Sequence, residues 1–315
     1  MGISLVSFYD SLIRRSFVSA GLRSETLTLD SETTIQCWIP ESLSVTSPNS
    51  KPILVLIHGF GPTATWQWRS QVGPLARHFD LIVPDLLFFG GSTTASPLRS
   101  EVFQAAAIVR LLDALLAGGG GGGDRRVAVA GTSYGGFVAY HVARLLGEER
   151  VGRVVIASSD LLKGEEDDKA LAKRSGVKDV VEVMIPQGAA EARTLVKMAT
   201  YRSPRFVPEF LLRDLIKNYF SDNVEEKKEL IKGITIGNKD KFQLTPLPQD
   251  VLIVWGDHDQ IFPLDKAFKM KKQLGDKARL EVIENTGHTP QLEDPSRFNE
   301  ILLDFLLGAK SPRCD

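Results

Sequence analysis

The sequence predicts an α/β protein: a mostly parallel, eight-stranded sheet with helices on both faces and a helical segment inserted late in the series. Three observations lead there. Short apolar runs alternate with amphipathic stretches of helical spacing, the pattern left by a parallel sheet wrapped in crossover helices. The runs are almost continuously hydrophobic, as strands covered on both faces are. The alternation then breaks between about residues 160 and 248, where charge-rich helical sequence replaces it.

Taken in order, residues 1–24 hold ISLVSFYDSLIRRSFVSAGL, an amphipathic stretch interrupted by Tyr9, Asp10, Arg14 and Arg15. A secretory signal needs an unbroken apolar core, so a helix packed on the body is expected, with peripheral membrane contact as its other use. LTL and TTIQCWI, separated by DSE, read as a hairpin near residues 26 to 39. Apolar runs follow at 52–58, 79–85, 126–131, 152–158 and 251–256, and ARLEVIEN at 278–285 closes the series before a final helix at 297–307. Six glycines, Gly118 to Gly123, join a helix to the strand after it. Phosphate loops have the opposite polarity, strand to helix, so this run reads as a flexible connection. In PEFLLRDLIKNYF, Leu211, Leu212, Leu215, Ile216, Tyr219 and Phe220 recur at helical spacing. The expected organisation is a core of 25–159 and 249–315, with 160–248 a helical cap over the C-terminal strand ends, where clefts of open parallel sheets lie.

Composition narrows the function classes. With 315 residues, 43% hydrophobic and 24% charged, the chain can bury a large core. A net charge of −1 and the lack of a basic run argue against nucleic acid as a partner. The two cysteines, Cys37 and Cys314, are far apart and lack metal-ligand spacing. A reducing compartment is expected, hence a cytoplasmic location, with no disulfide, no metal and no organic cofactor.

Chemistry concentrates at VAVAGTSYGGF. A strand ends at Gly131 and a helix begins near Tyr134, so Ser133 occupies a sharp turn that tolerates only small neighbours, supplied by Gly131 and Gly135. The turn exposes the serine oxygen and places the Tyr134 backbone N–H near a helix N-terminus, where it can stabilise developing negative charge. A serine hydroxyl needs a base. Among the five histidines, His58, His78 and His141 fit structural roles, and His258 crowds the acid candidates. His288, in NTGHTPQLEDP after the last strand, is the expected base. Its carboxylate partner is expected to be Asp259 in VLIVWGDHDQIFP, with Asp160 after the previous strand as the alternative and Asp257 a turn-capping residue. Phe60, in the glycine turn HGFG, offers a second backbone donor beside Tyr134 for an oxyanion.

With HGFG at 58–61, PDLLFFGGS at 84–92, GTSYGG at 131–136, WGDHDQIFP at 255–263 and TGHTPQLEDP at 286–295, the chain from about 25 to 308 resembles the α/β-hydrolase fold superfamily. The resemblance lies in its capped branch, which holds plant carboxylesterases, monoacylglycerol lipase-like serine hydrolases, epoxide hydrolases and haloalkane dehalogenases. It implies the α/β-hydrolase fold, the cap and the roles given above. One departure stands out: where the family usually reads D-x-x-G-x-G-x-S, this chain has Phe88 at the first glycine.

Serine at 133 argues against the epoxide hydrolase and dehalogenase chemistries, which attack with a carboxylate, and favours acyl transfer. Trp66, Phe88, Met184, Met198, Tyr201, Phe206 and Phe210 are expected to line an apolar pocket for a small to medium hydrophobic ester, aromatic or lipid-derived. Two other functions fit the same residues: cleavage of a carbon–carbon bond by a hydrolase or lyase, and ligand binding by a receptor that keeps the triad.

Overall fold

The computed structural model describes residues 4–41, 43, 51–116, 126–204, 206–237 and 241–308. The glycine run at 118–123 and Cys314 lie outside the described residues. Helix α1 (Leu5–Ser19) leads into the hairpin β1 (Leu22–Thr28) and β2 (Thr33–Pro40). Strand β3 (Ile53–Ile57) is followed by the short helices α2 (Ala64–Trp68) and α3 (Val72–Ala76), then β4 (Asp80–Pro84), β5 (Thr93–Thr94) and α4 (Glu101–Leu116). Strand β6 (Val127–Thr132) turns directly into α5 (Tyr134–Arg150), and β7 (Val151–Ala157) precedes the helical insertion. That insertion carries α6 (Glu165–Ser175), α7 (Val180–Met184), α8 (Ala189–Ala199), α9 (Glu209–Tyr219) and α10 (Val224–Lys232). The chain returns through β8 (Asp250–Gly256), α11 (Asp265–Leu274) and β9 (Ala278–Ile283), and ends in α12 (Pro290–Glu293) and α13 (Pro295–Leu307).

The strands order as β1-β2-β4-β3-β6-β7-β8-β9. The pairs from β4 through β9 are parallel, whereas β1 with β2 and β2 with β4 are antiparallel. The sheet has nine strands where the sequence pattern indicates eight, because the two-residue β5 pairs with β2 off this path and is too short to show a period. Side chains divide by strand alternation: Ile53, Val55 and Ile57 join one apolar layer, while Leu54 and Leu56 join the other. Val251, Ile253 and Trp255 repeat the pattern against Leu252 and Val254. Helices α4, α5 and α11 cover the first face, and α2, α3 and α13 the second.

Order reverses at β3, which has β4 on one side and β6 on the other. The loops leaving β3 and β6 therefore diverge and open a crevice at the carboxyl edge of the sheet. Met184 of α7 and Leu195 of α8 line a cavity at this edge. The first helix of the insertion, α6, has Glu165, Glu166, Asp167 and Asp168 in the first turn and Lys173 and Arg174 in the last, matching the helix dipole. Helix α9 buries Leu212, Ile216 and Tyr219 along one stripe. Helix α1 buries Val6, Ile13 and Phe17, and Asp214 of α9 accepts hydrogen bonds from Ser4 Oγ and the Val6 amide, both at 2.9 Å. Among the described residues no helix is long and apolar enough to cross a membrane.

Candidate active site

Ser133 stands between β6 and α5 with φ 51° and ψ −122°, a conformation that L-residues rarely adopt. Its surroundings fix it there: the Ser133 amide donates to the Ala157 carbonyl at 2.8 Å, and the Ser133 carbonyl accepts from the Gly136 amide at 2.9 Å. The flanking glycines are sterically required. A Cβ at Gly131 would overlap the Gly135 carbonyl, and one at Gly135 would overlap the backbone of Ile57 and His58.

The turn delivers the serine oxygen to a histidine. His288 Nε2 lies 2.9 Å from Ser133 Oγ, and His288 Nδ1 lies 2.8 Å from Asp259 Oδ2. Asp259 Oδ1 accepts the amides of Ile261 and Phe262, each at 2.9 Å, which leaves Oδ2 for the imidazole. With Nδ1–H directed at a carboxylate, Nε2 is the acceptor for the serine proton. All three side chains are buried. The alternative acid, Asp160, lies elsewhere: its Oδ1 accepts the Leu162 amide at 3.0 Å and its Oδ2 faces Lys266 Nζ at 3.3 Å. Burial pushes that carboxyl above the ordinary aspartate range. Asp257 accepts from the Thr286 amide and pairs with His258, so it braces the turn.

The amides of Phe60 and Tyr134 have no protein acceptor among the described residues, and both residues line a cavity that reaches Ser133. A side chain that sequence reasoning missed shapes the Phe60 loop. Buried Gln67 accepts the Gly59 amide at 2.8 Å and donates to the carbonyls of Gly59 at 3.0 Å and Pro62 at 2.7 Å. His58 braces the same loop: Nδ1 contacts the Gly59 carbonyl at 2.7 Å, and Nε2 accepts the Leu86 amide at 2.9 Å. Burial holds its imidazole down to about 4. Asp85, which accepts the Ala64 amide at 2.8 Å, is pushed up to about 6 by burial.

Of the residues expected to line the pocket, Trp66 and Met184 reach the cavity around Ser133. The other five do not. Met198 packs into the core. Phe206 and Phe210 are 76% and 60% exposed, because they precede or open α9 on its solvent side. Tyr201 stacks on the His258 ring at 4.1 Å. Phe88 is buried beneath the Arg99 guanidinium at 4.3 Å, with φ 73°, the left-handed conformation a glycine would hold without strain. The cavity walls instead come from Phe60, Phe137, Ile234, Ile261 and Phe262. The apolar pair two residues after Asp259 in the sequence was the available signal for Ile261 and Phe262. A second missed residue, Glu293, couples the insertion to the histidine loop. It accepts the Gly287 amide at 2.6 Å and the Tyr201 amide at 2.8 Å, while the His288 amide donates to the Ala199 carbonyl at 2.9 Å.

The fold and this geometry meet a family pattern: a model of the alpha/beta hydrolase fold matches residues 52–295. The chain belongs to the α/β-hydrolase fold family. This α/β hydrolase is 23% identical over 274 residues to monoacylglycerol lipase ABHD6 of Bos taurus, covering 84% of this chain and 78% of that one. It is 24% identical over 261 residues to the 2-hydroxy-6-oxo-6-phenylhexa-2,4-dienoate hydrolase of Comamonas testosteroni, covering 80% and 87%. The crystal structure of carboxylesterase CesB from Bacillus subtilis shares the fold, with a TM-score of 0.70, 20% identity, and coverage of 97% of this chain and 99% of that one.

Proposed function

We propose that this α/β hydrolase is a serine carboxylic-ester hydrolase acting on a hydrophobic ester. The observation that carries the reading is the unbroken chain Ser133 Oγ, His288, Asp259, with bonds of 2.9 and 2.8 Å, beside two backbone amides that have no acceptor among the described residues. Ser133 attacks the ester carbonyl as His288 Nε2 takes its proton, and Asp259 stabilises the imidazolium that results. The carbonyl oxygen, now negative, is held by the Phe60 and Tyr134 N–H groups. Collapse expels the alcohol, protonated by His288, and a water activated by the same histidine then hydrolyses the acyl-enzyme. Residues 160–248 act as a cap that keeps bulk water from the cleft.

The relatives of this chain that are named as lipases support ester cleavage. The relative named as a dienoate hydrolase supports a second reading, hydrolysis of a carbon–carbon bond with the same three residues. The test is hydrolysis of a panel of aromatic, short-acyl and monoacylglycerol esters by wild type and Ser133→Ala, with intact-mass detection of an acyl-enzyme. Turnover and adduct that vanish in Ser133→Ala are expected. A folded wild type that cleaves a vinylogous diketone but no ester would replace this reading with the second.

A further inference from the structure

Two cavities of very different size meet at Ser133, and only one of them holds His288. The first, of about 40 Å³, is lined by Ser133, Tyr134, Phe137, Ile234 and Phe262. Lys163 and Asp168 line it as well, the ammonium pairing with the carboxylate at 2.6 Å. The second, of about 120 Å³, is lined by Ser133, His288, Trp66 and Leu292. Trp66 and Leu292, with Pro62, Leu195, Ala199 and Thr289, also line an outer cavity of about 800 Å³, so the second cavity continues outward into a larger space.

From this asymmetry we infer that the enzyme selects esters of a compact acyl group with a bulky, largely apolar alcohol. The inference rests on the ester-hydrolase reading above and narrows it. In acylation the bond from carbonyl carbon to alkoxy oxygen breaks, and the departing oxygen takes the proton that His288 Nε2 received from Ser133 Oγ. That oxygen must therefore leave beside His288, and the alcohol lies in the second cavity and its outer extension. The acyl substituent remains on the carbon bonded to Ser133 Oγ and points to the side without the histidine. In deacylation, water enters through the vacated alcohol side and gives its proton to His288. Its oxygen joins the acyl carbon as the bond to Ser133 Oγ breaks, and His288 returns the proton to the serine.

The first cavity has room for about three water-sized groups, matching a short alkanoyl chain. A longer chain would press apolar carbon against the Lys163–Asp168 pair and strip its water, an unfavourable exchange. On the alcohol side, Trp66, Leu195 and Leu292 give an apolar wall, and the Arg69 guanidinium stacks on the outer face of Trp66 at 4.8 Å.

The experiment measures kcat/KM of the full chain for 2-naphthyl acetate, butyrate and dodecanoate and for methyl butyrate and dodecanoate. It is paired with labelling of Ser133 by a fluorophosphonate. The two short naphthyl esters are expected to exceed the dodecanoate by about tenfold or more, and methyl butyrate by a similar factor, the scale on which a filled or overfilled apolar pocket discriminates. Ile234→Ala, and independently Val180→Ala, at a second residue of the first cavity's wall, should move the optimum toward longer acyl chains with the naphthyl preference kept. Trp66→Ala should lower kcat/KM for naphthyl but not methyl esters. Preference for dodecanoyl over butyryl esters, or an Ile234→Ala variant that changes alcohol preference instead, would overturn the sorting while ester hydrolysis stands. A folded protein that neither cleaves any of these esters nor takes the label would overturn the underlying reading as well.

Discussion

Two buried aspartates follow adjacent parallel strands, Asp160 after β7 and Asp259 after β8, and local sequence hardly separates them. Their hydrogen bonds do. Asp259 satisfies one oxygen with two backbone amides and offers the other to His288, whereas Asp160 spends its oxygens on the Leu162 amide and Lys266. Replacing Asp259 by Asn keeps an oxygen for the two backbone amides but sets an NH₂ donor against the imidazole, which favours the wrong tautomer. Asp259→Asn is expected to lower kcat by about 10⁴-fold, the scale of that substitution in a serine triad, without shifting the urea midpoint appreciably. Asp160→Asn should keep near-wild-type kcat with no loss of stability, because burial already disfavours the ionised carboxyl and Lys266 keeps its pair with Asp167. Steady-state kinetics and urea melts on the two variants decide it, and the reverse pattern in kcat would make Asp160 the acid.

Elements explain why the triad was readable in the sequence and the pocket was not. Ser133 and Asp259 follow buried strands, which announce themselves as apolar runs such as RVAVAG and VLIVWG, and His288 follows the edge strand β9, buried at its two ends. The tight turn after β6 adds the glycines, whose necessity is a backbone contact and so independent of distant sequence. Gly135→Ala is accordingly expected to destabilise the protein by about 3 kcal/mol or more, since the obstructing atoms belong to the backbone of β3 and cannot rotate away. Gly73→Ala, in α3 with no atom within 4 Å of the added carbon, should be neutral or stabilising by up to ~1 kcal/mol. Chemical denaturation of both checks the contrast, and a mild Gly135→Ala would refute the close packing of turn on strand. Pocket residues carry no comparable signal. Met184 and Met198 are equally apolar and equally helical, yet one faces the cavity and the other the core, because that choice depends on how α7 and α8 lie over the sheet. Phe206 and Phe210 were plausible for the same reason and point to solvent.

At the scale of the whole molecule, two of the buried titratable groups at the carboxyl edge of the sheet have effects on stability that oppose each other. His58 bonds the end of β3 to the end of β4, and Asp85 bonds the end of β4 to the start of α2. His58 titrates at about 4 in the folded chain against 6.5 when unfolded, so the unfolded state binds a proton first. Stability from this group is complete above pH 6.5 and declines through pH 4, by about 3 kcal/mol at roughly 1.4 kcal/mol per unit. Asp85 runs the other way: folded, it titrates at about 6 against 3.8 unfolded. Keeping it ionised costs about 3 kcal/mol above pH 6, a cost that disappears as pH falls toward 3.8. The two terms offset almost completely across one window, leaving the wild type nearly level there so far as these groups determine it. Asp85→Asn removes one side of the balance. Unfolding free energies from urea titrations at pH 7, 6, 5 and 4.5 should fall by about 2 kcal/mol more in Asp85→Asn than in wild type. Glu101, whose carboxyl is held below its ordinary 4.5, adds its own loss only beneath that pH, and Asp160, whose carboxyl burial raises, is common to both proteins and cancels in the difference. If the two proteins lose stability in parallel from pH 7 to 4.5, Asp85 is ionised at no cost in the folded state, and the carboxyl edge is wetter than its burial implies.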